Sequence, residues 1–333
     1  MFDKIKFDIQ MFAAGDVVNA TNSEGLSAEM KTFYDKTLIT LAGPNLVHDQ
    51  FGQRKPIPKN GGKIIEFRKF SKLPKAMQPI TEGVTPTGDK LQASTVVATV
   101  DQYGYYIEQT DMLELTAIDN TIVEATKELA AQAGLTLDAV VRNELVAGTN
   151  VMYAPKVAAD GTETEVTSRG DLDATCKLRV KDVFKAAAEL KAVNAPKIGG
   201  YYVAVIHPYV AYDLMQEAGE QWLGIQKYAN PENILKGEIG CLGGVRFVES
   251  TEAKIYEGGV FATLFLGENA YGVTEIEGGG LEHIVKQRGY GNDPLNQRSS
   301  VGWKATKVAK RLVEEYIIRF ESKSAFSDSA VAN

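Results

Sequence analysis

The chain has 333 residues, 44% of them hydrophobic and 24% charged, with 36 Lys and Arg against 43 Asp and Glu. This profile excludes a chain disordered throughout, and the net charge of −7 excludes a protein that grips nucleic acid nonspecifically, because such proteins need surplus cations to neutralise phosphates. The two cysteines, Cys176 and Cys241, offer neither a disulfide framework nor metal spacing and point to a reducing compartment.

No segment approaches the roughly 18 apolar residues that cross a bilayer. The longest apolar stretch, GGVFATLFLG over Gly258–Gly267, suits a buried strand. In the opening MFDKIKFDIQMFA, Asp3, Lys4, Lys6 and Asp8 interleave with Phe2, Ile5, Phe7 and Ile9, so it has no apolar run of signal-peptide type and secretion is not expected. After a polar linker over 15–25, Met30, Phe33, Tyr34, Leu38 and Leu41 recur at helical spacing. They predict one helix with Ser27 at its N-cap and Gly43-Pro44 at its end.

Lys63–Phe70 (KIIEFRKF) and Ser94–Thr110 (STVVATVDQYGYYIEQT) read as strands. Between them, Pro74, Pro79, Pro86, Gly83 and Gly88 forbid regular structure, and a connection of that length belongs in a compact domain only when the loop has a function. A 17-residue strand would reach about 55 Å, which predicts a long two-stranded arm with an irregular tip standing clear of the body. Residues 51–93 carry nine basic and three acidic groups, net +6, whereas 94–298 carry 17 basic and 29 acidic, net −12. A basic arm on an acidic body suits docking onto another copy; the same lysines would equally protect an exposed edge.

From Asp119 the period turns helical, with Ile122, Ala125, Leu129, Ala133, Leu137, Val140 and Leu145 on one stripe. Thr121 and Glu124 have capping-box spacing, and Gly148 marks a stop. A helix over Thr121–Ala147 would be a spine about 40 Å long, weakest at Gly134. A second domain is expected after the variable segment Val151–Gly170. It holds helices over Val180–Val193 and Pro208–Gln216, and strands over Tyr201–Ile206, within Gly237–Ser250, and over Val260–Leu266 and Tyr271–Ile276. Leu281–Glu321 returns to strand patterning and ends in Glu315–Phe320 (EYIIRF), while Ser322–Asn333 reads as a frayed tail. Without regular βαβ alternation the class is α+β.

Chemistry is absent from this pattern. Gly240, Gly243 and Gly244 make a tight turn rather than a phosphate cradle, and no G-x-S-x-G elbow occurs. His48, His207 and His283 lie far apart and read as structural or surface residues. Asp171 with Asp173 suits a solvated loop, and Glu275 with Glu277 lacks a partner across a cleft. Tyr103, Tyr105 and Tyr106, flanked by Asp101, Glu108 and Asp111, suit sheet packing rather than base stacking. No catalytic, cofactor or metal site is assigned, and no enzymatic activity is expected.

The strings VHDQFGQRKPIPKNGGKIIEFRKF (Val47–Phe70), LPKAMQPITEGVTP (Leu73–Pro86), DMLELTAIDN (Asp111–Asn120), YYVAVIHPYVAYDL (Tyr201–Leu214), GEIGCLGGVRFVES (Gly237–Ser250) and NDPLNQRSSVGWKA (Asn292–Ala305) run in order along nearly the whole chain. With them, the sequence resembles the major capsid proteins of tailed phages, in particular the family typified by the phage N-four major capsid protein. FDIQMFA (Phe7–Ala13) also resembles the start of many capsid proteins from phages of Gram-positive hosts.

The resemblance implies an N-terminal arm over 1–50, an extended β-hairpin loop over 51–110, a peripheral domain from 111–171 and 281–325 with the spine helix, an axial domain over 172–280 and a tail over 326–333. It implies self-assembly into the hexamers and pentamers of an icosahedral shell that matures from a procapsid and encloses double-stranded DNA without sequence-specific binding. It further implies a portal and, since only about 25 residues precede the arm helix, a separate scaffold protein. The implied location is the virion capsid, after assembly in the bacterial host cytoplasm, with no membrane partner. The intersubunit contact candidates of the extended loop are Phe67, Arg68, Lys69, Phe70, Lys72 and Lys75, the aromatic rings laid over a neighbour and the cations meeting its acidic surface. Some capsid proteins of this fold cross-link a loop lysine to an asparagine; Lys72 and Lys75 are placed for that, and solubility also accounts for both. The competing readings are an encapsulin-type compartment shell, a phage tail or decoration protein, and a glycoside-acting enzyme.

Overall fold

A computed structural model describes residues 46–333 apart from 71–72, 74, 78, 81, 86–87, 117–120, 159 and 227–237. In chain order the elements are β1 (Gln53–Arg54), β2 (Ile64–Phe70), β3 (Ala93–Thr99), β4 (Asp101–Thr110), α1 (Asp111–Thr116), α2 (Thr121–Val146), β5 (Val151–Tyr153), β6 (Lys156–Val157) and β7 (Glu163–Thr164). There follow α3 (Val180–Ala192), β8 (Tyr202–Ile206), α4 (Pro208–Gln226), β9 (Glu238–Leu242), β10 (Val245–Glu249), β11 (Ile255–Tyr256), β12 (Val260–Leu266), β13 (Tyr271–Thr274), β14 (Glu282–Lys286), β15 (Arg298–Arg311) and β16 (Ile317–Ser322). This is the α+β mixture expected. The helix predicted over 30–41, its Ser27 cap, and the Thr121 side chain of the predicted capping pair lie outside the described residues.

β8 (YVAVI) and β12 (VFATLFL) are apolar without alternation apart from Thr263, and every residue in them is buried. Such strands need neighbours on both edges and cover on both faces. They lie inside a seven-stranded sheet of order β5-β16-β12-β8-β10-β9, with β11 also on β12. One face packs against α3 and α4 through Val183, Leu190, Val210 and Leu214. There Phe247, Phe265 and Phe320 meet edge to face at centroid separations of 6.5 and 6.4 Å.

The second sheet is organised by β15, whose first part is flanked by β4 and β14 and whose end pairs with β13; β1 adds to β13 in parallel. The spine helix α2 serves both sheets. Its buried residues Ala125, Leu129, Ala133, Leu137, Val141 and Leu145 recur every fourth position. Each four-residue step advances about 40° around the axis, so the stripe turns by about 200° along the helix. Leu129, Ala133 and Leu137 consequently pack on Val301, Trp303 and Ala305 of β15, while Val141 and Leu145 join Val205, Leu264 and Ile317 of the larger sheet. The helix ends two residues before Gly148, the expected stop. Gly148 lies close to the end of the Glu314 side chain, where a Cβ would come within 2.7 Å of Oε1 and the carboxylate would have to shift.

Three expectations are corrected. The 17-residue strand divides at Val100, whose buried side chain plugs the junction: β3 pairs with β2, whereas β4 leaves to pair with β15 from Asp101↔Lys307 to Thr110↔Arg298. The paired hairpin is therefore seven residues deep, or about 23 Å. β16 pairs with β12 in the larger sheet, and β13 pairs with β15 in the second. The tail is tied down: Phe326 stacks on Tyr209 at 4.8 Å, Ala325 N–H donates to Asp213 Oδ2 at 2.9 Å, and Asn333 Oδ1 accepts from Ile255 N–H at 2.9 Å. Finally, α4 runs past Gln216 to Gln226 across a kink at Gly219 (φ 48°, ψ −124°).

The three histidines are all buried. His207 stands immediately before Pro208, and its Nδ1 accepts the Tyr209 N–H at 3.1 Å, capping α4. Burial pushes its pKa down to about 4. The unfolded chain takes up this proton near pH 6.5, so the stabilising contribution is complete above that value and is lost as pH falls from about 6.5 to about 4, amounting to roughly 2–3 kcal/mol. Urea unfolding at pH 7 and at pH 4.5 should show a smaller acid loss in His207→Gln than in the parent, and equal losses in the two proteins would refute the assignment.

Candidate assembly surface

The hairpin β2–β3 is rooted in the body and free beyond it. Alternation along β2 turns Ile65 and Phe67 inward and Ile64, Glu66, Arg68 and Phe70 outward. At the root, Ile57, Ile65, Phe67, Ala98 and Val100 form a small cluster against Ile276, Val308 and Leu312 of the body. The Phe67 ring lies over Gly272, where a Cβ would come within 2.5 Å of it. Phe67, a contact candidate by sequence, is 4% exposed and spends its ring on its own subunit, since it and Phe70, three positions apart on a strand, face opposite sides.

The segment entering this hairpin is held by a buried polar knot. Asp49 pairs with Lys307 Nζ at 2.9 Å and with Arg54 Nη2 at 2.9 Å. His48 Nδ1 lies 2.6 Å from Asp138 Oδ2 of α2, whose other oxygen accepts the His48 backbone N–H at 2.7 Å. Tyr271 donates its hydroxyl to the His48 carbonyl, and burial pushes that phenol well above its usual range. Histidine 48 is thus the structural hydrogen-bonder its isolation suggested, tying chain entry to the spine.

Outside the root, Arg68, Lys69, Phe70 and Lys75 are exposed, while Lys72 lies outside the described residues. Of the 21 large hydrophobic side chains exposed among the described residues, 13 fall between Ile64 and Leu115. Met77 and Ile80 at the tip are 81% and 76% exposed. Concentrated exposure of this kind marks a surface that awaits a partner, whereas scattered single residues would mean nothing. Sequence reading missed its continuation: Met112 and Leu115 of α1, and Tyr290 and Leu295 in the loop after β14, are also exposed. The available signals were three apolar residues in the six-residue DMLELT helix and an aromatic held between Gly289 and Gly291, both at positive φ (79° and 78°). Of the tyrosines assigned to sheet packing, Tyr103 packs near α2, but Tyr105 and Tyr106 are exposed.

Asp171 and Asp173, two of the carboxylates singled out by sequence, serve turns. Asp173 accepts from Thr175 N–H at 2.9 Å and from its hydroxyl, bonds that bring its pKa down to about 2, and Asp171 accepts from Ser168 Oγ at 2.7 Å. Gly243 and Gly244, at φ 64° and 85°, make the tight β9–β10 turn. Among the described residues no cluster of three or more His, Cys, Asp or Glu could hold a metal, and no helix is long and apolar enough to cross a membrane.

Comparisons with known proteins agree with this architecture. The phage capsid protein family model matches residues 93–317. A comparison with curated proteins gave no match. Among solved structures, the capsid of Ralstonia phage GP4 is similar at TM-score 0.61 and 16% identity over 84% of this chain and 88% of that one. The capsid of cyanophage P-SCSP1u follows at 0.59 and 14%, over 84% and 89%. A virus-like particle from Pyrococcus furiosus is similar at 0.51 and 11%, over 88% and 99%. At these identities the structures establish the fold, and the family match, which spans more than half of the sequence, establishes the kind of protein. The chain belongs to the phage capsid protein family and is a structural major capsid protein of a phage head.

Proposed function

We propose that the protein builds the hexamers and pentamers of an icosahedral head around double-stranded DNA, with the hairpin and its tip as an extended loop laid over a neighbouring subunit. The observation that carries this reading is the concentration of exposed apolar side chains on a stretch of net positive charge, attached to an acidic body. Phe70 and the tip residues supply apolar contact, and Arg68, Lys69, Lys72 and Lys75 meet the neighbour's carboxylates. Phe67 positions the loop from within.

In this reading the β15 sheet with the first part of α2 is the peripheral domain, and the larger sheet with α3 and α4 is the axial domain, now including β16. A shell of acidic subunits confines DNA without gripping it. A portal, a separate scaffold protein, assembly in the bacterial cytoplasm and membership of the branch typified by the phage N-four capsid protein complete the proposal. Catalysis has no part in it.

The test is charge reversal. Lys72→Glu combined with Lys75→Glu should lower the yield of shells in negative-stain microscopy severalfold, with thermal unfolding of the subunit unchanged within a few degrees. Normal shells from the double variant would refute docking through these lysines. Small closed particles filled with protein, in place of heads that package DNA, would favour the compartment-shell alternative.

A further inference from the structure

The larger sheet has an open edge at β5, and the edge borders a groove. β5 runs parallel to β16, with Arg319 N–H donating to the Asn150 carbonyl at 3.0 Å and Ala154 N–H donating to the Glu321 carbonyl at 2.9 Å. By strand alternation, the N–H and C=O groups of Val151 and Tyr153 therefore point away from β16. They face a groove of about 650 Å³ walled by α3 and by the segment after β7. Met152 and Phe320 are paired neighbours on the sheet face that α3 covers, so an added strand would extend their apolar row. Its rim carries Glu165, Lys185 and Glu189, which make no ion pair among the described residues.

One segment of this polypeptide has the matching chemistry. Residues 4–10 read KIKFDIQ, with Ile5, Phe7 and Ile9 at a period of two and Lys4, Lys6 and Asp8 between them. Strict alternation is the pattern of a strand with one apolar face. Its charges are of both signs, as are those of the rim. The segment precedes the first described residue, Leu46, by more than 35 positions, a tether that when extended could span about 100 Å, enough to reach another subunit.

We propose that residues 4–10 of a neighbouring copy add to β5 as an edge strand, their apolar side chains under α3 and their backbone paired with Val151 and Tyr153. This is β-augmentation, in which main-chain bonds give affinity and alternate side chains give selectivity. The idea rests on the shell reading for the identity of the partner, though the groove can be tested without shells.

Two measurements separate these questions. First, a fluorescently labelled peptide of residues 1–13 is titrated into full-length subunits whose own segment is disabled by Ile5→Asp, Phe7→Asp and Ile9→Asp. Saturable binding is expected, weakened at least tenfold by adding Met152→Arg to the subunit. Absence of binding, or binding indifferent to Met152→Arg, overturns the groove assignment whether or not shells form. Second, Phe7→Cys with Val166→Cys, in a Cys241→Ser background, is oxidised after assembly and run on a non-reducing gel. Ladders of linked subunits support docking between copies. Links confined to single chains, or none, overturn it.

Discussion

Glu321→Ala is expected to destabilise the subunit by about 3–5 kcal/mol, seen as a large fall in the urea midpoint and in soluble yield. Glu321 is fully buried on β16, and its carboxylate takes Arg169 in bidentate fashion, Nε at 2.7 Å and Nη2 at 2.6 Å, while also accepting from Arg319 Nε at 2.8 Å. Arg169 in turn stacks on Tyr256 at 3.4 Å. Arg319 extends the network to the end of the spine, donating to the carbonyls of Val146 and of Gly148, the latter at 2.9 Å. The Val146 carbonyl belongs to the terminal turn of α2, which has no further helical donor to offer it, and Gly148 lies just beyond that turn. Removing the carboxylate leaves two guanidinium groups without their anion and frees the side chain that caps the helix. Glu321→Gln, which keeps shape and hydrogen-bonding capacity, should lose less. Equal stability of the alanine variant and the parent would mean the cluster is solvated and contributes little.

Gly272→Val is expected to leave a folded subunit that does not form shells. The new side chain would occupy the space of the Phe67 ring, which sits within 2.5 Å of where a Cβ would be. Overpacking of this kind costs about 1–3 kcal/mol, which a domain of this size can tolerate, but the strain falls on the root of the hairpin. A small rotation there is magnified at Met77 and Ile80, at the far end of the loop. Circular dichroism should remain close to the parent while the assembled fraction falls at least tenfold. Adding Phe67→Ala, which vacates the space, should restore part of the assembly, because the two positions are in contact and their effects are coupled. Normal assembly of Gly272→Val would show that the angle of the hairpin does not govern docking.

The elements that sequence revealed best were those whose pattern is local. α2 was legible from its four-residue repeat, and β12 from a seven-residue run that is apolar apart from Thr263. What stayed hidden depended on pairing across long stretches of chain. Nothing in STVVATVDQYGYYIEQT marks Val100 as the point where one strand leaves β2 for β15, because both halves carry the same β-branched and aromatic composition. EYIIRF shows that a strand exists near the end of the chain but not that β12 is its neighbour. The exposed, basic and irregular character of the arm was readable from its charge and its prolines. Placing Phe67 inside required Gly272, 205 positions away, and no local signal connects them.

The place of β16 also affects when the subunit becomes complete during synthesis. β12 gains its second partner only after residues 317–322 have been made, some 50 residues after β12 itself. Until then a strand that is apolar apart from Thr263 presents an unpaired edge, with the Glu321 anion and the cap on the spine both missing. A nascent chain on the ribosome can carry its finished hairpin while the larger sheet is still open. The larger sheet is thus completed later in synthesis than the hairpin, whose two strands both precede β12.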